Sequence, residues 1–514
     1  MNLYQNSKFY ALLCFAVLAV QAAWLRFPGT GKSADKRAGY DLDLLFCICT
    51  AVAVGTLFHL YPGNHLYPTG DSAVFIYIGK QMMAGKVPYL DCFDHKGPLL
   101  YLIQFTGLSL GKGSIHGLWA LEVINMTITL LILVQFCRLA SNRRSSVWLA
   151  LLMSFVACGW RIYEGGNFTE EYALPWISLA LLVFFRFFQS GNYGKRDIVL
   201  LGIAFSAVFL LRPNMIAVWV ACMPMVLLHM LRKKRFRDLG ICTGLFFAGV
   251  FFAVCPILIW LASRHALKEF VECYFSFNML YSAEVGLDSS MLLHLIKVFS
   301  LMILPGMLAL AISVSVHGRD SLRMINLWCF AVSFLMLAMS GRDYPHYLII
   351  ILPPLAFFFT DFFDWTASLV KKLAIEPNRM VLILSCFAIL TGSIGYHVIT
   401  GKKIWPETAA ITWLKENTVK TDDVLVLGNN VWTYLASDRK TGNRFFYQTP
   451  PIEISNDFRV ALLRELHDHP SDVILDPIGH SDQAEDWRGD VYRQLLQQGY
   501  SYQQINSFSV YFRL

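Results

Sequence analysis

Residues 239–261, LGICTGLFFAGVFFAVCPILIWL, contain no charged residue and are separated by Asp238 alone from the basic segment RKKRFR at 232–237. A helix crosses the hydrocarbon core of a bilayer with about 20 predominantly apolar residues. This stretch is long enough for one crossing, and lysines and arginines concentrate at the cytoplasmic ends of such helices. The segment therefore predicts a membrane-spanning helix that starts on the cytoplasmic side.

The same alternation of long apolar runs and short basic loops extends over residues 1–400. The chain is 56% hydrophobic and 15% charged, whereas ordinary globular domains carry about 25% charged residues. We predict about twelve spans, with the run 98–111 too short to cross and lying along the interface. The predicted spans are 9–25, 43–60, 116–137, 146–160, 172–188, 198–211, 214–231, 239–261, 291–315, 324–340, 346–361 and 380–399.

The basic loops set the predicted topology, because with about twelve spans all six fall on one side, which is the cytoplasm. They are residues 26–42, 138–145, 189–197 and 232–238, the pair Arg319 and Arg323, and the group Lys371, Lys372 and Arg379. This places outside the membrane the segments 61–115, 161–171, 262–290, 341–345 and 401–514. We thus predict a transmembrane module at 1–400 with a first external loop at 61–115.

The tail, residues 401–514, is predicted to be a separate extracytoplasmic α/β domain. It carries three more acidic than basic residues, whereas residues 1–400 carry a basic surplus of ten. Helical patterns at 407–417, 430–437, 457–467 and 489–498 alternate with short apolar runs at 424–427 and 473–475, which indicates βα units in a mostly parallel sheet. No GxGxxG follows the first strand, which argues against a dinucleotide site. No basic stripe with interleaved aromatics is present, so we predict no nucleic-acid partner.

The first external loop gathers the residues best suited to chemistry. Its segment GKVPYLDCFDHKGP at 85–98 holds Asp91, Asp94, His95 and Lys96, and Asp71 precedes it. A carboxylate beside the membrane surface can act as a general base toward a hydroxyl, and a lysine can neutralise a phosphate. The alternative interpretation is that these residues are solvated loop charges.

Three other external features carry charge near the ends of spans. Glu170 and Glu171 follow Gly165-Gly166-Asn167, where carboxylates at membrane depth are functional or simply occupy the first turn of a helix. Arg212-Pro213-Asn214 joins two apolar runs and is a ligand contact or a hinge. Arg342, Tyr344, His346 and Tyr347 could bind a phosphate or form an interfacial aromatic belt.

A dedicated metal site has little support in the sequence, which contains neither HExxH nor CxxC. Loop carboxylates together with substrate phosphates could still hold a divalent cation such as Mg²⁺ or Mn²⁺.

These motifs resemble the GT-C class of membrane glycosyltransferases, and in particular bacterial members related to the protein O-mannosyltransferases and the aminoarabinose transferase. The pattern Asp71 … Gly85 … Pro88-Tyr89 … Asp91 … Asp94-His95-Lys96-Gly97-Pro98 is similar to the first external loop of that family. Gly166-Asn167 … Glu170, Arg212-Pro213-Asn214 and Gly341-Arg342 … His346-Tyr347 follow in the expected order. Where the family often has Asp-Glu, this chain has Asp71-Ser72, which removes a candidate metal ligand.

The resemblance implies a multi-pass protein of the bacterial plasma membrane that moves a sugar from a polyprenyl-phosphate donor to a hydroxyl of a cell-envelope glycan, lipid or protein. Asp71 would be the base of an inverting displacement, and Asp94 a second catalytic carboxylate. Lys96, Arg342 and His346 would bind the donor phosphate. Asp91, His95, Glu170 and Tyr347 are candidates for acceptor or substrate binding.

Three other classes of protein share parts of this pattern. A lipid flippase or transporter predicts intramembrane charges along a path and an internal repeat, neither of which is evident. A polysaccharide polymerase or ligase of another fold also has many spans and an external site. A non-enzymatic assembly subunit would have little reason to keep Asp71, Asp94 and Lys96 together.

Overall fold

The fold was described from a computed structural model, which covers residues 33–62, 68, 70–159, 162–284, 308–316, 320–339, 342, 344–372, 408–481, 484 and 486–513. The chain forms two compact units. The first comprises Met1–His65, Leu118–Pro256 and Leu287–Lys403, and the second comprises Leu66–Gly117, Ile257–Gly286 and Ile404–Leu514. The second unit therefore contains most of the first external loop together with the tail.

Before the tail, the described part of the chain is built from α-helices, two π-helices (Met153–Cys158 and Glu272–Ser276) and two 3₁₀ stretches (Pro213–Met215 and Pro345–Ile351). Its helices before the tail are Ser33–Gly55, Asp71–Met83, Pro98–Leu110, His116–Cys137, Arg144–Leu152, Thr169–Ser190, Lys195–Phe209, Ala217–Arg232, Phe236–Ser263, Leu267–Val271, Phe277–Glu284, Ser321–Ala338 and Leu352–Lys372. The helix at Arg144 continues as a π-helix over Met153–Cys158, and a 3₁₀ stretch, Pro345–Ile351, leads into the helix at Leu352.

Within the described residues, five segments are long and apolar enough to cross a membrane. They are His116–Cys137, Thr169–Ser190, Phe236–Ser263, Ser321–Ala338 and Pro345–Leu369. These coincide with five of the predicted spans, which confirms a helical membrane protein. The predicted spans 9–25 and 380–399 and most of 291–315 lie outside the described residues, so the total of about twelve stays a prediction.

Close helix packing in the first unit depends on glycine. A Cβ atom at Gly202 would lie 2.1 Å from the carbonyl oxygen of Phe246, and one at Gly249 would lie 2.2 Å from that of Val199. The helices Lys195–Phe209 and Phe236–Ser263 therefore touch backbone to backbone, as helices in membranes do where small residues face each other.

The first external loop contains two short helices, Asp71–Met83 and Pro98–Leu110, that pack against each other. The second corresponds to the predicted short run 98–111, whereas the first was not assigned in the sequence. Gly79 lies at the contact, and a Cβ there would be 2.8 Å from Cβ of Gln104 and 2.9 Å from Cδ1 of Leu108. This packing positions Asp71 and the segment before Pro98 in one unit.

We expect Gly79→Ala to destabilise the protein by about 1–3 kcal/mol, because the added methyl group has no room between the two helices. The matched control is Gly240→Ala, a helical glycine whose Cβ would meet nothing within 4 Å. That change should be neutral or stabilise by up to about 1 kcal/mol through helix propensity. Chemical unfolding of both variants in detergent micelles tests the difference, and equal midpoints would contradict the packing argument.

The tail is an α/β unit, with helices and strands close to the predicted positions. Its helices are Ala409–Asn417, Trp432–Ser437, Pro451–Ile454, Asn456–Asp468 and Trp487–Gln497. The strands β1 (Val424–Val426), β2 (Val473–Asp476), β3 (Tyr500–Ile505) and β4 (Phe508–Arg513) form one sheet in the order β1-β2-β4-β3.

The prediction of a mostly parallel sheet is wrong. Only β1 and β2 pair in parallel, with Val424 opposite Val473, whereas β2–β4 and β3–β4 are antiparallel. The C-terminal hairpin was missed because β3 is largely exposed and polar, with Gln503 and Gln504 on its surface. Such a strand lacks the apolar run that marks β1 and β2.

The first external loop and the tail are joined by direct hydrogen bonds within the second unit. The backbone N–H of Phe93 donates to the carbonyl of Arg444 at 2.8 Å, and the Arg444 side chain donates to the carbonyl of Tyr89 at 2.8 Å. Tyr77 packs on Phe446 with ring centroids 4.6 Å apart. The two segments are therefore packed together in one unit.

Candidate active site

Asp71 is the first residue of the helix Asp71–Met83. The residue before it, Gly70, has φ 57° and ψ −138°, a conformation that side-chain-bearing residues rarely adopt. The unpaired N–H groups and the dipole of the helix N-terminus favour a negative charge at this position. The Asp71 side chain is 44% exposed, so its carboxylate is accessible to an incoming molecule.

Lys96 connects Asp71 to His95. Its ammonium nitrogen is 3.7 Å from Oδ2 of Asp71 and 2.7 Å from Nε2 of His95. Because a lysine ammonium can only donate hydrogen bonds, Nε2 of His95 must accept, and the imidazole carries its proton on Nδ1. His95 thus holds the ammonium beside the Asp71 carboxylate, with the Lys96 side chain largely buried at 13% exposure.

Asp94 occupies a different environment from Asp71, since it is only 2% exposed. The hydroxyl groups of Tyr101 and Tyr447 each donate to its carboxylate at 2.8 Å, and the backbone N–H of His95 donates at 2.8 Å. Burial raises the pKa of the Asp94 carboxyl, although Lys96 and these three donors oppose the rise. The carboxylate is thus fully engaged by the protein.

The shift of Asp94 predicts a pH dependence of stability. A carboxyl group whose pKa is higher in the folded state stabilises the fold when protonated, and this contribution is lost as the pH rises through the raised value. We expect the unfolding free energy of the wild type, relative to Asp94→Asn, to fall as the pH rises from about 4 to about 8. In Tyr447→Phe the fall should be larger, because a donor to the ionised form is gone. The unfolding free energies of the wild type, Asp94→Asn and Tyr447→Phe across this pH range measure the effect. A difference between the wild type and Asp94→Asn that does not change with pH would contradict the prediction.

The turn that precedes Asp94 is held by its own hydrogen bonds. Tyr89 has a left-handed backbone, with φ 69°, and its hydroxyl donates to the carbonyl of Lys96 at 2.8 Å. Asp91 accepts the N–H of Val87 at 2.7 Å and lies 3.6 Å from the Lys86 ammonium. These contacts give Asp91 a role in shaping the turn, apart from the group formed by Asp71, Asp94, His95 and Lys96.

A helical segment at 267–284 covers His95. The His95 ring stacks on Phe277 and contacts Tyr281, each with centroids 5.3 Å apart, and Asn278 donates to the His95 carbonyl at 2.7 Å. The segment consists of the helices Leu267–Val271 and Phe277–Glu284 with the π-helix Glu272–Ser276 between them. The cover fixes the imidazole and, through it, Lys96.

The first unit contains a second charged cluster, centred on Arg212. Its guanidinium donates to Glu170 at 2.7 Å and lies 3.9 Å from the centroid of the Tyr347 ring. Glu170 is 1% exposed and also accepts the Thr169 hydroxyl at 2.7 Å. The Arg212 guanidinium thus neutralises a buried carboxylate.

His346 lies at the edge of this cluster. Its Nδ1 is 2.6 Å from Oε2 of Glu164, and its ring stacks on Phe168 with centroids 4.1 Å apart. Arg342 is half-buried. The predicted residues Glu170, His346 and Tyr347 therefore meet in one place, together with Arg212 and Glu164.

A neighbouring group of buried acids organises the segment before Glu170. Glu122 and Glu171 are each 2% exposed, and Glu171 accepts the N–H of Asn167 at 3.2 Å. A Cβ at Gly166 would lie 2.8 Å from a Glu122 carboxylate oxygen, so only glycine allows this approach. Glu122 was missed in the sequence because a single acid inside a long apolar helix has no accompanying motif.

Several residues that complete the two clusters were not among the sequence candidates. Tyr101 and Tyr447 escaped because a tyrosine in an apolar run or in a distant domain carries no local signal of a hydrogen bond to Asp94. Arg444 and Glu164 are isolated charges in loops. Arg212, by contrast, was named from the sequence because it lies in a tight turn between two apolar runs.

Within the described residues, no group of three or more His, Cys, Asp or Glu side chains is arranged to hold a metal ion. Asp71, the most exposed of the candidate acids in the first loop, faces the Lys96 ammonium. A divalent cation therefore does not fit these residues as they stand.

Two crystal structures of ArnT from Cupriavidus metallidurans share this fold. The one bound to undecaprenyl phosphate aligns with a TM-score of 0.60 at 11% identity, over 91% of this chain and 97% of that chain. The apo structure aligns with a TM-score of 0.57 at 12% identity, over 93% and 98%. The predicted resemblance to the GT-C class is thus confirmed in the fold.

The family profile of the competence-induced protein Ccs4 N-terminal domain matches residues 44–366. The chain belongs to this family. A comparison with curated proteins gives no match.

Proposed function

We propose that the protein is a glycosyltransferase of the GT-C class that moves a sugar from a polyprenyl-phosphate donor to a hydroxyl of a cell-envelope acceptor, on the outer side of the membrane. The observation that carries this proposal is the exposed Asp71 carboxylate with the Lys96 ammonium 3.7 Å away. One group can take a proton while the other faces a departing phosphate. The GT-C fold supports the reaction class.

The chemical step is a single displacement. Asp71 removes the proton of the acceptor hydroxyl as its oxygen attacks the anomeric carbon of the donor sugar. The bond between that carbon and the phosphate oxygen breaks, and its electron pair leaves with the lipid phosphate. Attack opposite to the leaving group inverts the anomeric configuration. Lys96 stabilises the negative charge that grows on the phosphate.

The two first-loop carboxylates have separate roles in this proposal. Asp94 is saturated by Tyr101, Tyr447 and its own loop backbone, so it orients the segment that carries His95 and Lys96. Asp71 has the accessible oxygen atoms and is the base. His95 acts through Lys96, because its Nε2 accepts from the ammonium.

The cluster in the first unit has its own proposed roles. His346 and Arg342 are proposed to contact the donor phosphate, and Glu170 and Tyr347 to contact substrate. Glu170 and Tyr347 also hold the Arg212 guanidinium between them. Arg212 adds a fixed positive charge suited to a phosphate.

The donor is proposed to be a polyprenyl phosphate because one structure with this fold, ArnT, is bound to undecaprenyl phosphate. Membrane lipid would surround the helices and align the donor with its phosphate at the interface. Burial of the long lipid tail supplies binding energy that positions the sugar.

The test is sugar transfer by the purified protein in nanodiscs. A panel of polyprenyl-phosphate sugars is supplied with crude envelope acceptor, and the transferred label and the lipid phosphate released are both measured. Transfer with release of lipid phosphate supports the proposal. Movement of intact donor across a vesicle membrane without transfer would overturn it in favour of a flippase, and joining of preformed glycan chains would favour a polymerase or ligase.

A further inference from the structure

A polar cavity of about 550 Å³ lies within the second unit, beside the first-loop turn. Cavities of roughly 300–1,000 Å³ are typical of small-ligand sites. The turn contributes Leu90 and Asp91, and the tail contributes the rest of the wall, including Asn443, Arg444, Arg464, Glu465 and Asp468. None of its lining residues is among those proposed above to perform the displacement.

One wall residue has an unused hydrogen-bond donor. Asn443 is 6% exposed, and its side-chain oxygen accepts the N–H of Phe445 at 2.8 Å. Within the part of the chain that the structure describes, the Asn443 amide nitrogen has no hydrogen-bond partner. A buried donor without a partner is unfavourable, and because Asn443 lines the cavity, a ligand oxygen atom that reaches the amide would remove that cost.

The charges of the wall select the ligand. Four carboxylates (Asp91, Asp423, Glu465 and Asp468) line the cavity together with two guanidinium groups, Arg444 and Arg464, and with His469. Asp423 already accepts from Thr441 and Gly442, and Glu465 accepts the Arg444 N–H at 2.8 Å. The surplus of carboxylates disfavours an anionic ligand, whereas hydroxyl groups can donate to these oxygens and accept from the amide and guanidinium groups.

The cavity is connected to the candidate active site by one short stretch of backbone. Asp91 lines the cavity, and Asp94 lies three residues further along the loop. Arg444 and Tyr447 lie beside this stretch, and the backbone N–H of Phe93 donates to the carbonyl of Arg444. A fully extended chain covers about 3.3–3.6 Å per residue, so Asp91 lies within about 11 Å of Asp94 along the loop.

We propose that this cavity binds a neutral or amino sugar residue of the acceptor glycan, away from the hydroxyl that reacts. The place of this site in the reaction rests on the glycosyltransferase function proposed above. A sugar held by Asn443, Arg464 and Asp468 would present the next part of a short oligosaccharide to Asp71. Binding energy from this remote residue would then position the reacting hydroxyl.

Direct binding tests the proposal without any donor. The full-length protein in nanodiscs is titrated with the methyl glycosides of glucose, galactose, N-acetylglucosamine, glucosamine and glucuronic acid, and with β-linked disaccharides of the first three. Binding is read by saturation-transfer-difference NMR and by hydrogen exchange of the peptides covering 440–446 and 463–469. We expect a neutral or amino sugar to bind and to protect both peptides, and glucuronic acid not to bind.

Two variants probe the cavity, and the one at the exposed Asp468 carries the lower risk to the fold. Asn443→Asp keeps the oxygen that accepts from Phe445 and removes the unpaired donor, and Asp468→Asn changes an exposed side chain. Each should weaken saccharide binding at least about tenfold, which corresponds to one lost hydrogen bond of about 1.4 kcal/mol. Gln503→Ala, an exposed change on β3, is the matched control and should bind as the wild type does.

Separate outcomes identify which proposal fails. Absence of binding by every glycoside, or binding that neither cavity variant changes, overturns the saccharide site even if transfer is observed. Saccharide binding that both variants weaken, in a protein that transfers from no donor, retains the site and overturns the transferase. In an active protein, the variants should raise KM for a long acceptor with kcat retained.

Discussion

Asp71→Asn should reduce sugar transfer by about 10²- to 10⁴-fold, the contribution typical of a positioned general base. The substitution keeps the size and shape of the side chain and removes only its basicity. Because Asp71 is exposed at the start of its helix, the fold should be unaffected. Initial rates at saturating donor and acceptor measure the loss in kcat.

The matched control is Glu416→Gln, which removes an exposed carboxylate from the tail helix Ala409–Asn417. It should transfer at the wild-type rate, since no proposed contact involves this residue. Equal transfer by Asp71→Asn and the wild type would remove Asp71 from the mechanism and direct attention to Asp94. If the unfolding free energy of Asp71→Asn fell by as much as its activation free energy for transfer rose, Asp71 would have a structural role instead.

The second large effect concerns the buried ion pair between Glu170 and Arg212. Glu170→Gln should destabilise the protein by about 3–5 kcal/mol, because it leaves the Arg212 guanidinium without its charged partner in a buried site. Glu170 is 1% exposed and the contact is 2.7 Å. Chemical unfolding in detergent micelles measures the change.

Two comparisons make this prediction specific. The double variant Glu170→Gln with Arg212→Met should recover most of the lost stability, since no buried charge then remains uncompensated. Lys420→Ala breaks an ion pair with Asp438 whose side chains are 75% and 61% exposed, and it should cost less than about 1 kcal/mol. If Glu170→Gln were as mild as Lys420→Ala, the pair would not be buried in the way described.

The two predictions also separate function from folding. Substitution of Asp71 should lower the transfer rate with little effect on the unfolding free energy. Substitution within the Glu170–Arg212 pair should mainly lower the unfolding free energy. If the cluster around Arg212 also binds the donor phosphate, the double variant will fold and yet require more donor for half-maximal transfer. Donor titration of the refolded double variant measures this.

The helical membrane character of the chain follows from local sequence. Long apolar runs such as 239–261 are accommodated in contact with lipid. Within lipid, only a helix or a closed barrel can satisfy the backbone hydrogen bonds. The five confirmed spans coincide with predicted runs for that reason. Ordered motifs in the loops also led to the correct fold class, because the order of motifs along a chain is itself sequence information.

Local sequence was less informative in the tail. The strands β1 and β2 were recognised because they are buried apolar runs, whereas the C-terminal hairpin was not, because β3 faces solvent. The direction of strand pairing was also wrong. Which strands become neighbours depends on all the connections between the strands of a sheet. Two short apolar runs do not contain that information.

From its residue types alone, the sequence identified Asp71, Asp94, His95 and Lys96 as one chemical group, since they lie close together along a single loop. Only the tertiary structure distinguished the two carboxylates. Asp94 is buried by Tyr447, a residue 353 positions away in the chain, while Asp71 stays open to solvent. Exposure and hydrogen-bond saturation are set by long-range packing, and so are the pairing of Glu170 with Arg212 and the cavity at Asn443. Residue identity determines what a side chain can do, and its packed surroundings determine whether it is free to do it.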